Sequence, residues 1–161
     1  AIARFFNVYG SRHLCEGPYA TVIGIFERQV LEKTSLTITG DGEQRRDFTH
    51  VNDIVSGLIL MSKERWSGDI FNLGTGTNYS INELADMYGY EKKYIPKRPG
   101  EPECTFADIT KIKTLLNWSP NIKFEDGVEI MLENIEYWGE APIWDSSSIE
   151  AATKEWFELL K

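Results

Sequence analysis

The chain is predicted to be an α/β protein, because short apolar runs closed by glycine alternate along it with longer runs whose apolar residues recur at helical spacing. Ser80 and Ser147 each open a Ser-x-x-Glu string, in which serine oxygen and glutamate carboxylate satisfy free backbone donors at a helix start. With 161 residues and 42% apolar side chains, the chain can bury one core of ordinary size.

In chain order, residues 1–10 form an apolar, aromatic run ended by Gly10, which reads as a buried strand. It starts abruptly, so the chain is expected to be a piece of something longer. Over residues 19–32, Val22, Ile23, Ile25, Phe26 and Val30 repeat at helical spacing. Leu36-Thr37-Ile38-Thr39 is a short strand, turned by Gly40-Asp41-Gly42. Asn52 or Asp53 caps a helix running to about Ser62, with Ile54, Val55, Leu58, Ile59 and Met61 inward. Ile70-Phe71-Asn72-Leu73 is a further strand, closed by Gly74-Thr75-Gly76. The helix opened by Ser80 stops at Gly89, and Tyr94-Ile95-Pro96 is extended. Asp108 caps a helix through Trp118, Pro120 interrupts, and residues 124–138 form the next. The Ser147 box starts a terminal helix with Ile149, Ala152, Trp156 and Leu159 on one stripe, and Trp156 and Phe157 dock it onto the body. The domain reading is therefore a main unit over residues 1–138, followed by a linker and terminal helix over residues 139–161.

Composition excludes several functions. A formal net charge of −8 disfavours nucleic acid, whose binding needs many phosphates neutralised by clustered Lys and Arg. The local clusters Arg45-Arg46 and Lys97-Arg98 suit one small anion. No apolar run approaches a membrane span and no leader opens the chain, so a soluble, cytoplasmic protein with no membrane partner is expected. Cys15 and Cys104 lack neighbours at metal-ligand spacing, which leaves no case for a zinc site or a disulfide framework. His13 and His50 read as packed or surface residues. No metal ligand and no catalytic residue is assigned.

Five strings in order carry a resemblance: residues 4–10 (Arg-Phe-Phe-Asn-Val-Tyr-Gly), residues 40–51 (Gly-Asp-Gly-Glu-Gln-Arg-Arg-Asp-Phe-Thr-His-Val), residues 71–76 (Phe-Asn-Leu-Gly-Thr-Gly), residues 98–101 (Arg-Pro-Gly-Glu) and the run from Asp108 to Pro120. Together they resemble the extended short-chain dehydrogenase/reductase family of nucleotide-sugar epimerases and dehydratases over residues 1–138. The stretch Tyr19-Ala20-Thr21-Val22-Ile23 and the doubled Arg45-Arg46 are most similar to the UDP-glucose 4-epimerases. The resemblance implies the C-terminal part of a Rossmann-like fold with its small substrate-binding domain, without the N-terminal nucleotide-binding half.

It also implies roles. Asn7 would bond the sugar or its phosphate, with Phe5 and Phe6 near the nicotinamide and the sugar. Ala20, Thr21 and Val22 would begin the helix beside the nucleotide, and Thr37 and Ile38 would lie against the base. Arg46 would grip the diphosphate, Arg98 would add a second phosphate contact, and Glu101 would take the ribose hydroxyls. The chemistry agrees, since a guanidinium fork matches the paired oxygens of a phosphate. The partner implied is a UDP-sugar or related nucleotide-sugar.

In this family a tyrosine, aided by a lysine four residues on, takes the sugar 4-hydroxyl proton while NAD accepts the hydride. The tyrosine-lysine pair and the glycine-rich NAD turn lie upstream of the Arg-Phe-Phe-Asn string in such proteins, and neither occurs in these residues. NAD is therefore expected in the intact enzyme and not on this chain alone, which is expected to be inactive by itself. Tyr88 and Lys92 have the right spacing, but Gly89 ends the helix between them. Gly74-Thr75-Gly76 is no dinucleotide fingerprint, because Tyr79 stands where a third glycine would.

Plainer readings stand beside these roles. Asn7 could cap a turn, Arg45 and Arg46 could be a solvated pair answering Asp41 and Glu43, and Arg98 and Glu101 could be a surface ion pair. Asp47 reads as a structural partner of nearby backbone or arginine. At the level of function, an enzyme portion competes with a free-standing nucleotide-sugar-binding module, with a dehydratase or other epimerase portion, and with a functionless truncated product. The first strand is expected to leave an exposed sheet edge through which copies of the chain associate.

Overall fold

Alternation of strand and helix governs the computed structural model, which describes residues 1–11, 13–15 and 20–138. The predicted linker, the Ser147 box, the terminal helix with Trp156 and Phe157, and the start of the first helix at Tyr19 lie outside the described residues. The elements are β1 (Ile2–Phe5), β2 (Asn7–Tyr9), α1 (Val22–Leu31), β3 (Leu36–Thr39), β4 (Arg45–Arg46), β5 (Phe48–His50) and α2 (Val51–Ser62). They continue with β6 (Ile70–Leu73), β7 (Tyr79–Ser80), α3 (Ile81–Tyr88), β8 (Lys92–Ile95), α4 (Thr110–Leu116), α5 (Phe124–Glu133) and a 3-10 turn at Ile135–Trp138. The strands pair as β1 with β6, β2 with β5 and β3 with β8, all parallel, and β4 with β7, antiparallel. Parallel pairs need crossover connections, and helices supply them, which is the α/β logic of the sequence.

The first run is not one buried strand. It breaks at Phe6, where β1 leaves its register with β6 and β2 takes up β5. Among the described residues β1 has β6 as its only neighbour, so Ile2 and Phe5 are about half exposed at 54% and 52%. The change of partner puts Asn7 where two strand pairs part.

Helix α1 starts later than the periodicity suggests, because the Thr21 hydroxyl accepts the Gly24 amide at 3.3 Å and fixes the first turn at Val22. Helix α2 is capped neither by Asn52 nor by Asp53. His50 Nδ1 accepts the Asn52 amide at 3.2 Å, and Asp53 turns inward to accept the amides of Asn121 at 2.9 Å and Ile122 at 3.1 Å. Its buried face is Asp53, Ile54, Gly57 and Met61, whereas Val55, Leu58 and Ile59, expected inward, are exposed. Gly57 fixes this rotation: a methyl group there would lie 2.7 Å from Leu73 Cδ2 and 3.2 Å from the Trp118 indole nitrogen.

The Ser80 and Glu83 box forms as predicted, and Gly89 ends α3 at a left-handed φ of 71°. In α4 the cap position is Ile109, while Asp108 Oδ1 accepts the Thr110 amide at 2.9 Å. Left-handed Asn117 ends that helix before Trp118, whose indole N–H donates to Ser56 Oγ at 2.8 Å. The continuous helix expected over residues 124–138 is α5 followed by the 3-10 turn.

Two apolar cores result. One gathers Phe26, Leu36, Ile38, Leu84 and Phe124 around β3, α1, α3 and α5, with the Phe48 and Phe124 rings stacked at 4.6 Å. The other packs Phe71, Leu73, Ile112 and Trp118 between β6, α2 and α4. The first core supports the floor of the hollow described next.

Candidate functional site

The break at Phe6 brings Asn7 and Tyr9 of β2 to the bottom of a hollow of about 330 Å³. Ala20, Thr21 and Val22 at the start of α1 form one wall, and Thr37 and Thr39 of β3 form another. Gln44 and Arg46 enter from β4 and the segment before it, and Arg98 and Glu101 from the segment after β8. The volume suits a small ligand, and a helix N-terminus beside two arginines favours an anion.

Polar contacts set each side chain. Asn7 does not cap a local turn, since its Oδ1 accepts the Thr105 hydroxyl at 2.7 Å, committing the carbonyl and leaving the amide nitrogen to donate. Thr105 Oγ1 in turn accepts the Asp47 amide at 3.1 Å. Thr37 is held by Gln29, whose Nε2 donates to the threonine hydroxyl at 2.8 Å and whose Oε1 accepts the threonine amide at 3.0 Å. Arg46 Nη2 meets Glu101 Oε1 at 2.9 Å, and the Thr39 hydroxyl donates to Glu101 Oε2 at 3.2 Å.

The two arginines separate cleanly. Arg45 pairs with Glu83 at 3.0 Å and donates from Nε to Asn78 Oδ1 at 2.7 Å, so it anchors β4 to the start of α3 and answers neither Asp41 nor Glu43. Arg46 is buried and lines the hollow. The expected surface pair of Arg98 with Glu101 does not form; Glu101 bonds Arg46, and Arg98 is exposed with no carboxylate at ion-pair distance among the described residues.

Of the sequence-derived set, Asn7, Ala20, Thr21, Val22, Thr37, Arg46, Arg98 and Glu101 share this hollow. Three do not. The Ile38 side chain is fully buried in the first core, because adjacent residues of a strand face opposite sides and Thr37 takes the open one. Phe5 and Phe6 lie on β1 and at the break, outside the hollow, and Phe5 is exposed. Sequence reasoning missed Thr39, Gln44, Gln29 and Thr105. Alternation of the strand carries the signal for Thr39, two residues from Thr37; no local signal marks Thr105.

Neither short motif makes a second site. The amides of Thr75 and Gly76 donate to the Asp47 carboxylate at 2.7 and 3.0 Å, so the glycine turn holds a side chain in place of a phosphate. Tyr88 ends α3 while Lys92 starts β8 and pairs with Asp86. Burial, then Glu27, push the Tyr88 phenol far above its usual range, opposite to an activated base. Among the described residues, the glycine turn therefore offers no phosphate cradle, and Tyr88 and Lys92 form no helical base pair. Among the described residues no helix is long and apolar enough to cross a membrane, and no three metal-ligating side chains gather.

The family model for GDP-mannose 4,6 dehydratase matches residues 1–131. The UDP-N-acetyl-alpha-D-glucosaminuronate decarboxylase of Bacillus cytotoxicus is 35% identical over 158 residues, covering 86% of this chain and 46% of the relative. The crystal structure of UDP-glucose 4-epimerase from Thermotoga maritima with UDP-glucose superposes with a TM-score of 0.78 at 34% identity, covering 86% of this chain and 46% of that one. A point variant of UDP-glucuronic acid 4-epimerase from Bacillus cereus, in complex with UDP-4-deoxy-4-fluoro-glucuronic acid and NAD, gives 0.78 at 33% identity over 84% of this chain and 45% of that one. The chain thus spans about half the length of the relatives it matches.

Proposed function

The chain belongs to the nucleotide-sugar epimerase and dehydratase family that the GDP-mannose 4,6 dehydratase model describes, and from that premise we propose that its hollow binds the nucleoside diphosphate of a UDP-hexose for an NAD-dependent enzyme like UDP-glucose 4-epimerase. One observation carries the reading: Asn7, Thr37, Arg46, Arg98 and Glu101, drawn from segments as much as 94 residues apart by number (101 minus 7), open on one hollow. Arg46 and Arg98 supply the cations for two phosphates, Thr37 and the start of α1 flank the base, and the Asn7 amide donates toward the sugar end.

The similarity to a decarboxylase and to an acid-sugar epimerase supports a second reading, in which the hexose carries a carboxylate. Both readings share the nucleotide site and differ in the sugar.

Amide chemical-shift titration of the chain with UDP, UDP-glucose and NAD tests the proposal. UDP-sugar binding is expected to be weak, with a Kd on the order of a millimolar, because the chain spans about half the length of the relatives it matches. Shifts should cluster at Thr37, Arg46 and Arg98, and NAD should cause none there. Arg46→Ala or Arg98→Ala should weaken binding by about ten- to a hundredfold, the worth of one charged hydrogen bond. Shifts scattered away from the hollow, or tight NAD binding, defeat the reading.

A further inference from the structure

Two residues assigned above to the ligand are bonded to each other. Glu101 Oε1 sits 2.9 Å from Arg46 Nη2, and the Thr39 hydroxyl donates to Oε2 at 3.2 Å. The Thr39 hydroxyl also accepts Gln44 Nε2 at 3.0 Å, and Gln44 Nε2 reaches the Thr39 carbonyl at 3.0 Å, so the seat of the carboxylate is itself held by a buried side chain. The Arg46 side chain is 9% exposed and that of Glu101 22%, so water screens this pair far less than a surface one.

We infer that Glu101 competes with the diphosphate for Arg46 and thereby makes the hollow selective for diphosphates that carry a vicinal diol. An incoming phosphate that takes the Nη2 hydrogen donated to Glu101 displaces the carboxylate, and one that takes another hydrogen of the guanidinium still comes to lie beside it. A displaced, partly buried carboxylate beside a phosphate is repelled and unpaired unless new donors reach it. The 2′ and 3′ hydroxyls of a ribose are two such donors, whereas inorganic pyrophosphate has none. Selectivity then arises from a penalty on the wrong ligand as much as from contacts to the right one. Thr39 lines the hollow as well, but in this scheme it is a positioning residue that acts through Glu101.

The inference rests on the nucleotide-sugar reading, and its test separates the two. The 161-residue chain and its variants are titrated with UDP and with pyrophosphate, folding being checked by thermal melt. In Glu101→Gln, pyrophosphate affinity is expected to rise about tenfold or more, and the preference for UDP to shrink by a similar factor. Thr39→Val should shift the preference in the same direction, and Thr39→Ser should restore it. A purely structural role would lower both affinities together and leave their ratio unchanged, which overturns the inference. So does a folded Glu101→Gln chain that binds pyrophosphate no better than the unsubstituted chain. If UDP fails to bind the unsubstituted chain, the nucleotide-sugar reading fails; a gain in pyrophosphate binding on Glu101→Gln still supports the competition.

Discussion

The Asp47 carboxylate accepts both the amide and the hydroxyl of Thr75 on one oxygen, Oδ1, each at 2.7 Å. Its other oxygen accepts the Gly76 and Ala107 amides at 3.0 Å each, and the Thr49 hydroxyl donates to Oδ1 at 3.2 Å. A fully buried carboxylate thus ties the turn after β6 and the segment before α4 to the start of β5, behind the hollow.

Asp47→Asn should therefore cost about 3 kcal/mol of stability, because the carboxamide replaces an acceptor oxygen by a donor aimed at donors. Urea denaturation checks it. A loss below about 0.5 kcal/mol, the level of an inconsequential surface change, contradicts this account of the site's frame.

Gly127 of α5 should reject alanine. An added methyl carbon would lie 1.8 Å from the buried Tyr9 hydroxyl, at the floor of the hollow. Gly127→Ala is expected to destabilise by about 1–3 kcal/mol. Adding Tyr9→Phe removes the nearest atom and should recover part of the loss, since the ring carbon at 2.7 Å still crowds the site. Full additivity of the two losses in denaturation curves would show that the contact does not limit packing.

His50 caps α2 through Nδ1, which must be unprotonated to accept. Burial lowers its pKa below the ordinary 6.5, against an opposing pull from Asp53. A cation at a helix start also opposes the helix dipole. The unfolded chain therefore binds the proton first: the contribution of this group is complete above pH 6.5 and is lost as pH falls from 6.5 toward the lowered folded value. His50→Asn keeps a cap that does not titrate. The stability difference between the two chains should change by about 1 kcal/mol on acidification below that point. A flat difference from pH 7.5 to 5 would remove the argument.

Tyr79 donates its phenol to Glu125 Oε1 at 2.9 Å, and burial, then that carboxylate, push its pKa up to about 12. Stability from this bond is present below pH 10 and is lost as pH rises through about 12. Tyr79→Phe should remove that alkaline component from ultraviolet phenolate titration and from melting curves alike. Ionisation of Tyr79 near pH 10 would contradict the bond.

The open side of β1, with exposed Ile2 and Phe5, should make the chain associate as concentration rises. Sedimentation velocity across a hundredfold concentration range reads this, and Ile2→Lys with Phe5→Lys should suppress it. A single monomer boundary at every concentration counts against an adhesive edge.

Much of the fold was legible because its signals are local. The Ser80 and Glu83 box, the left-handed stop at Gly89 and the strands at Leu36 and Ile70 depend on neighbours within four residues. Misreadings arose where packing chose between faces. The apolar spacing of α2 permits several rotations, and Gly57 against Leu73 and Trp118 selected the one that leaves Val55, Leu58 and Ile59 outside. On β3, two-residue alternation turns Thr37 and Thr39 to the hollow and the Ile38 side chain to the core.

By itself the sequence determined the α/β class, the helix stops and the residue types able to hold a charged, hydroxyl-rich ligand, since propensities and motif chemistry travel with short strings. Only the tertiary structure decided that Asn7, Arg46 and Glu101 share one hollow, that Arg45 leaves it, and that Glu101 rests on Arg46. Those relations join residues up to 94 positions apart (101 minus 7), and side chains so distant meet only when strand pairing and core packing bring their backbones together.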